Sequence, residues 1–106
     1  MDNQIKVNGF RVEIEDIEAN LVKVDNIARA AVIPVYEGEK VQYLAAFVLL
    51  TAEDGLTPLK RALAIKDALK SFLPSYMVPR KITALPAFPL NVNGKVDKKA
   101  LAAQIK

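Results

Sequence analysis

Two strand-length apolar runs, RAAVIPVY (29–36) and VQYLAAFVLL (41–50), are separated only by EGEK. That spacing constrains the fold more than any other feature. Four residues can close a hairpin but cannot carry a crossover, so the runs are expected to pair antiparallel. Each can bury a row of side chains, and together they form the centre of a core that the flanking segments must cover. At 106 residues the chain has room for one small domain.

The flanks read as a regular alternation of elements. QIKVNGFRVE (4–13) is a second, shorter hairpin, in which Asn8-Gly9 suits the positive φ angles of a type I′ turn. Ile14, Ile17, Leu21 and Val24 recur at helical spacing, with Glu15 and Asp16 near the start and Lys23 near the end. At the end of TAEDGLTP, Thr57 is placed to cap a helix that has Pro58 at its first position. Leu59, Leu63, Leu69 and Phe72 are its expected buried stripe, and Lys60, Lys66 and Lys70 its solvated side. Pro74 and Pro79 bracket a rigid connector, PSYMVP. RKITAL is then a third core strand, PAFPL is extended by its prolines, and Asp97 caps a final helix, KKALAAQI. The order ββαββαβα predicts an α+β domain: a small antiparallel three-stranded sheet with flanking helices, plus an N-terminal two-stranded hairpin.

Composition removes several function classes. Cysteine and histidine are both absent, which leaves no disulfide framework, no thiol chemistry and none of the usual zinc or haem ligands; no metal site is expected. No apolar run approaches the roughly 18 residues of a membrane span, and the first residues lack a basic-then-apolar signal region. A cytoplasmic protein without membrane insertion is expected. The charge is uneven: residues 1–54 carry 5 Lys/Arg against 10 Asp/Glu, and residues 55–106 carry 10 against 2. Such a basic half fits phosphate or an acidic partner, or a merely uneven solvated surface. Tyr36, Tyr43 and Tyr76 do not interleave with basic residues along the sequence, so nucleic acid is not an expected partner. Glu13, Glu15, Asp16 and Glu18 read as a solvated helix start rather than a metal site.

No catalytic constellation is complete. Two turns stand out: Asn8-Gly9-Phe10-Arg11, and Asn93-Gly94-Lys95 ahead of the Asp97 cap. Each is compatible with ordinary turn chemistry. Their joint occurrence is more informative. DNQIKVNGFRVEIEDIE (2–18) resembles the hinge-and-hairpin signature of the adenylate-forming enzymes, and LPSYMVPRKITALPAFPLNVNGKVDKKAL (73–101) resembles their C-terminal signature. The resemblance spans nearly the whole chain. QIKVNGFRVE with LPSYMVPRK is most similar to the branch of that family that loads D-alanine onto a carrier protein for teichoic acids.

The resemblance implies a role for each turn. It makes residues 1–106 a single C-terminal lid subdomain that begins at Asp2, the hinge residue, and works against a large N-terminal domain absent from this sequence. Lys95 corresponds to the lysine that serves adenylation, in the ATP-facing turn formed with Asn93 and Gly94. Asn8, Gly9, Phe10 and Arg11 correspond to the hairpin that lines the path of a carrier protein's phosphopantetheine arm. Glu13, on the same strand face as Arg11, and Asp97 are supporting residues. ATP and Mg²⁺ are implied for the intact enzyme, held mainly by the other domain, and an acidic carrier protein is the implied partner. Alone, the chain is expected to be a monomer without adenylation activity. Lys98 and Asn91 stand where arginine and threonine are common in the family. The competing readings are the lid of another adenylation domain or acyl-CoA synthetase, and a freestanding basic module that binds an acidic protein or nucleic acid.

Overall fold

The computed structural model describes residues 4–7 and 9–105; Asp2 and Asn8 lie outside the described residues. Strands β1 (Gln4–Val7) and β2 (Phe10–Glu13) form the expected hairpin, in the register Val7↔Phe10 through Gln4↔Glu13. Helix α1 (Ile14–Leu21) follows directly and buries Ile14, Ile17 and Leu21. Val24 packs on the same core from beyond the helix end, and Lys23 also lies outside the last helical turn. Strands β3 (Ile27–Glu37) and β4 (Lys40–Leu50) form the long antiparallel pair around a tight connection at Gly38-Glu39.

Strand β5 (Lys81–Ala84) departs from expectation: it pairs with β4 in parallel, Ala45↔Lys81 through Val48↔Ala84, so the sheet is mixed, in the order β3-β4-β5. The reason lies in the connection. Helix α2 (Pro58–Leu69) and the short 3₁₀ turn Ser75–Met77 carry the chain back along the sheet before β5 begins, as a parallel neighbour requires. Backbone bonds from Arg80 N–H to Leu44 C=O (2.8 Å) and Leu85 N–H to Val48 C=O (2.9 Å) extend the pairing at both ends. Helix α3 (Lys98–Ala102) is shorter than the KKALAAQI segment predicts.

The two faces of the sheet carry separate cores. Val32, Leu44, Ala46, Val48 and Ile82 face α1, α2 and the hairpin residues Val7 and Val12. Ala31, Ile33 and Phe47 face the other way, against Phe88 and Leu101. Alternation along β3 and β4 therefore supplies both cores from the same strands.

The buried stripe of α2 also differs from the expected one. Leu69 is buried as expected, but with Ile65 and Leu73, and Ala62 packed beside them, whereas Leu59 is 71% exposed, Leu63 53% and Phe72 48%. On a helix, Leu59 and Leu63 share a face with Lys66 and Lys70, so their stripe stops halfway. The stripe from Ala62 to Leu73 is apolar throughout and continues into the connector. A full-length apolar face buries more surface than a half-length one, and it wins.

Polar side chains close the remaining edges. β3 is an edge strand, and its outward N–H at Val32 donates to Glu18 Oε2 at 2.8 Å. Two residues on, where the next outward N–H would stand, Pro34 has none. Before α2, the Asp54 carboxylate receives both Arg61 Nε and Nη2 at 2.8 Å and the Leu56 N–H at 3.0 Å. The Arg61 guanidinium, assisted by that N–H, holds the Asp54 carboxyl down at about 2, below its usual 3.8.

Leu69→Ala should cost about 2–5 kcal/mol in urea unfolding, and Leu59→Ala less than about 0.5 kcal/mol; equal costs would contradict the observed helix face. Because the folded-state pKa of Asp54 is depressed, the stability it contributes is complete above 3.8 and is lost as pH falls through about 2. The melting temperature of the wild type should accordingly fall more than that of Asp54→Asn across this window, and parallel falls would contradict the pairing.

Candidate functional site

The first turn sits at the end of the β1–β2 hairpin. Gly9 has φ +84°, the left-handed region, which explains a glycine there. A Cβ at this position would meet no atom within 4 Å, so within this chain the requirement comes from the backbone angle and not from crowding. The space beside Gly9 belongs to a groove whose walls include Ile5, Lys6, Tyr36, Lys40 and Val41. Arg11 and Glu13 lie on the exposed face of β2, and Val12 between them is buried.

Phe10 is anchored from outside the hairpin. Its ring stacks on Tyr76 with centroids 4.1 Å apart and planes 14° from parallel, while about half of its surface stays exposed. Such a pair adds about 0.5–1.5 kcal/mol beyond the area it buries and joins the hairpin tip to the connector after α2. Tyr76 lines a cleft with Val7, Gln42, Tyr43, Ser75 and Arg80. Arg80 and Lys81 both lie over the Tyr43 ring, at 5.6 and 5.4 Å from its centroid. Tyr43 and the Arg80-Lys81 pair, far apart in the sequence, thus meet in space, a contact that spacing along the chain does not reveal.

The second turn is a small hairpin closed by one antiparallel bridge, Leu90↔Val96. The Asp97 N–H donates to Pro89 C=O at 2.8 Å, and Asp97 Oδ1 accepts the Ala100 N–H at 3.1 Å, which caps α3 as the sequence predicts. Gly94 takes φ +78°. Residues 91 to 95 are all exposed, with Lys95 at the end of the bend. Asn91 organises this bend through its side chain as well as its main chain: Oδ1 accepts from Asn93 N–H at 2.8 Å and from Lys95 N–H at 3.1 Å. The departure from threonine at Asn91 thus has a structural role, and its signal in the sequence is an asparagine two residues before Asn93-Gly94, the arrangement of an Asx turn.

Lys98, which stands in place of arginine, makes a contact that spacing along the chain does not reveal. Its Nζ lies 3.0 Å from Glu18 Oε2, the same oxygen that accepts the Val32 N–H. Glu18 is therefore a joint between α1, β3 and α3, not part of a merely solvated helix start.

Asn93, Gly94, Lys95 and Asp97 are thus brought together at one turn, and Gly9, Phe10 and Arg11 at another. The two turns are rooted in different cores. Val7 and Val12, on either side of the first, belong to the core on the α2 face, and Phe88, Val96 and Leu101, around the second, to the core on the opposite face. Among the described residues, no three Asp, Glu, His or Cys side chains gather to hold a metal ion, and no helix is long and apolar enough to cross a membrane.

Residues 16–95 match the family model for the AMP-binding enzyme C-terminal domain. The chain is 47% identical over 105 residues to the D-alanine--D-alanyl carrier protein ligase of Listeria monocytogenes serotype 4a (strain HCC23). It is 42% identical over 107 residues to the ligase of the same name from Staphylococcus aureus (strain JH9). Each alignment covers 99% of this chain and 21% of the relative, so the chain spans about a fifth of the length of these relatives. In three dimensions it superposes on an acyl-CoA synthetase from Brucella canis with a TM-score of 0.82 and 27% identity, covering 96% of this chain and 19% of that one. With three-quarters of its length inside the family model, a mixed sheet between two cores and a turn on each side, the chain belongs to the AMP-binding enzyme C-terminal domain family.

Proposed function

We propose that this domain is the mobile lid of an AMP-forming ligase that activates D-alanine with ATP and transfers it to the phosphopantetheine thiol of a carrier protein. The observation that carries the reading is the rooting of the two turns on opposite faces of one small sheet, which lets a rigid domain present either turn by rotating. The names of the relatives supply the substrate, and their greater length supplies the second domain against which the lid would work. Asp2 is the proposed hinge.

In the first half-reaction a carboxylate oxygen of D-alanine attacks the α-phosphorus of ATP, the bond to the bridging oxygen breaks and pyrophosphate leaves. Both reactants are anionic. The Lys95 ammonium, reaching from an exposed, hydrogen-bonded bend, bridges them and stabilises the charge on the phosphoryl oxygens as they meet. Lys95 is one cation for the triphosphate, and Mg²⁺, which would neutralise the phosphates when bound, needs ligands from the larger domain. In the second half-reaction the lid turns, Lys95 withdraws, and the hairpin approaches the carrier's arm. The thiol sulfur attacks the acyl carbon, the bond from that carbon to the phosphate oxygen breaks, AMP leaves, and the thiol proton passes to solvent. Gly9 opens the groove for the arm, and Phe10, stacked on Tyr76, keeps the tip in place. Arg11 is exposed toward the arm or the carrier. Arg80, on the cleft beside Tyr76, and Lys81, over the ring of Tyr43, suit an acidic carrier. With ATP as substrate, the reaction belongs in the cytoplasm, where it would feed teichoic acid D-alanylation.

In the intact ligase, Lys95→Ala should lower ATP–pyrophosphate exchange by about 10²–10³ and leave thiol transfer from preformed D-alanyl-adenylate near wild type. Equal loss in both steps would contradict the role assigned to it. Gly9→Asn tolerates the left-handed backbone but adds a side chain beside the groove, so it should slow thiol transfer and spare exchange. An unchanged transfer rate would remove the hairpin from the arm's path.

A further inference from the structure

The bend that carries Lys95 has almost no packing of its own. Residues 91–95 are all exposed, and a single bridge, Leu90↔Val96, joins its two arms. Its shape rests on Asn91, which makes four hydrogen bonds within it. The Asn91 N–H donates to Lys95 C=O at 2.8 Å, and its C=O accepts the Gly94 N–H at 3.0 Å. The side-chain Oδ1 accepts two more, from Asn93 N–H at 2.8 Å and Lys95 N–H at 3.1 Å. Any residue but proline at 91 could make the two main-chain bonds, but the other two need an acceptor oxygen at this place in the side chain, with both of its lone pairs in use.

We infer that Asn91 is the positioning residue for Lys95: its side-chain oxygen fixes the backbone from which the ammonium is extended. This rests on the proposed role of Lys95 in adenylation. Lys95 and Asn91 are bonded in both directions, Lys95 N–H to Asn91 Oδ1 and Asn91 N–H to Lys95 C=O, so the lysine's own peptide groups are held on each side of its Cα. A displacement of about 1 Å at a reacting centre can cost about 10² in rate. Without Oδ1 the Asn93 and Lys95 N–H groups turn to solvent, and the bend around Gly94 samples other shapes. Asn91 touches no reactant in this scheme and acts through Lys95 alone.

The test uses Asn91→Leu, which keeps the approximate shape without an acceptor, and Asn91→Asp, which keeps the oxygen. In the 106-residue chain, amide exchange followed by NMR should speed up at Asn93 and Lys95 by roughly tenfold in Asn91→Leu and stay near wild type in Asn91→Asp. In the intact ligase, Asn91→Leu should lower kcat for ATP–pyrophosphate exchange by about tenfold to a hundredfold with little change in the KM for ATP. Transfer from preformed adenylate should be unaffected, and Asn91→Asp should restore exchange. Unchanged amides in Asn91→Leu, or loosened amides with full adenylation, would overturn the inference, as would equal losses in the two half-reactions. If Lys95→Ala itself spares adenylation, the proposed function fails while the amide result still stands or falls on its own.

Discussion

Strand β4 is buried on both of its faces, and the rest of the molecule is arranged around that fact. Leu44, Ala46 and Val48 point to one core, and Phe47, with Leu49 partly buried, to the other. A strand in that position needs a neighbour on each edge and a cover on each face. β3 supplies one edge through a tight connection, and β5 supplies the other only after α2 has crossed the sheet. The first cover comes from α1, α2 and the N-terminal hairpin, the second from Phe88 and α3. Removing either cover would expose the central strand to water, so the two faces are linked in stability although their side chains do not mix.

That division connects the fold to the chemistry proposed for it. Each turn projects from the cover on one face and is fixed at its base by buried side chains. Lys95 shows the pattern most clearly: its peptide groups are bonded to Asn91 and its side chain is exposed. Behind it, Asp97 caps α3, and Lys98 ties that helix through Glu18 to the edge strand. The opposite tip is held by Phe10 on Tyr76. A domain built this way can offer one rigid tip or the other to a partner without changing its own shape.

Much of the local structure was legible because particular residues carry it. Gly9 and Gly94 mark turns by needing a positive φ, and Thr57 and Asp97 mark helix starts by accepting N–H groups three residues ahead. The long hairpin was fixed by the shortness of EGEK. What depended on distant contacts was not legible. The parallel pairing of β5 follows from where α2 delivers the chain, which no local pattern encodes. The α2 stripe required comparing two faces over the whole helix, and Leu59 and Leu63 looked apolar enough when considered alone. Glu18 looked solvated because its partners lie on β3 and α3, and Asn91 looked like a replacement because its hydrogen bonds appear only once the turn is folded.

In the proposed mechanism the two tips serve alternate states of one rigid domain. The most direct measurement is cysteine protection, since this chain contains no cysteine. Single cysteines would be placed at Val92, beside Lys95, and at Arg11 on the hairpin, in an intact ligase freed of other reactive thiols. Their alkylation rates would be compared with an adenylate analogue bound and with the carrier protein engaged. Reciprocal protection is expected, with the Val92 site shielded in the first state and the Arg11 site in the second. Simultaneous protection of both sites, or no change between the states, would contradict it.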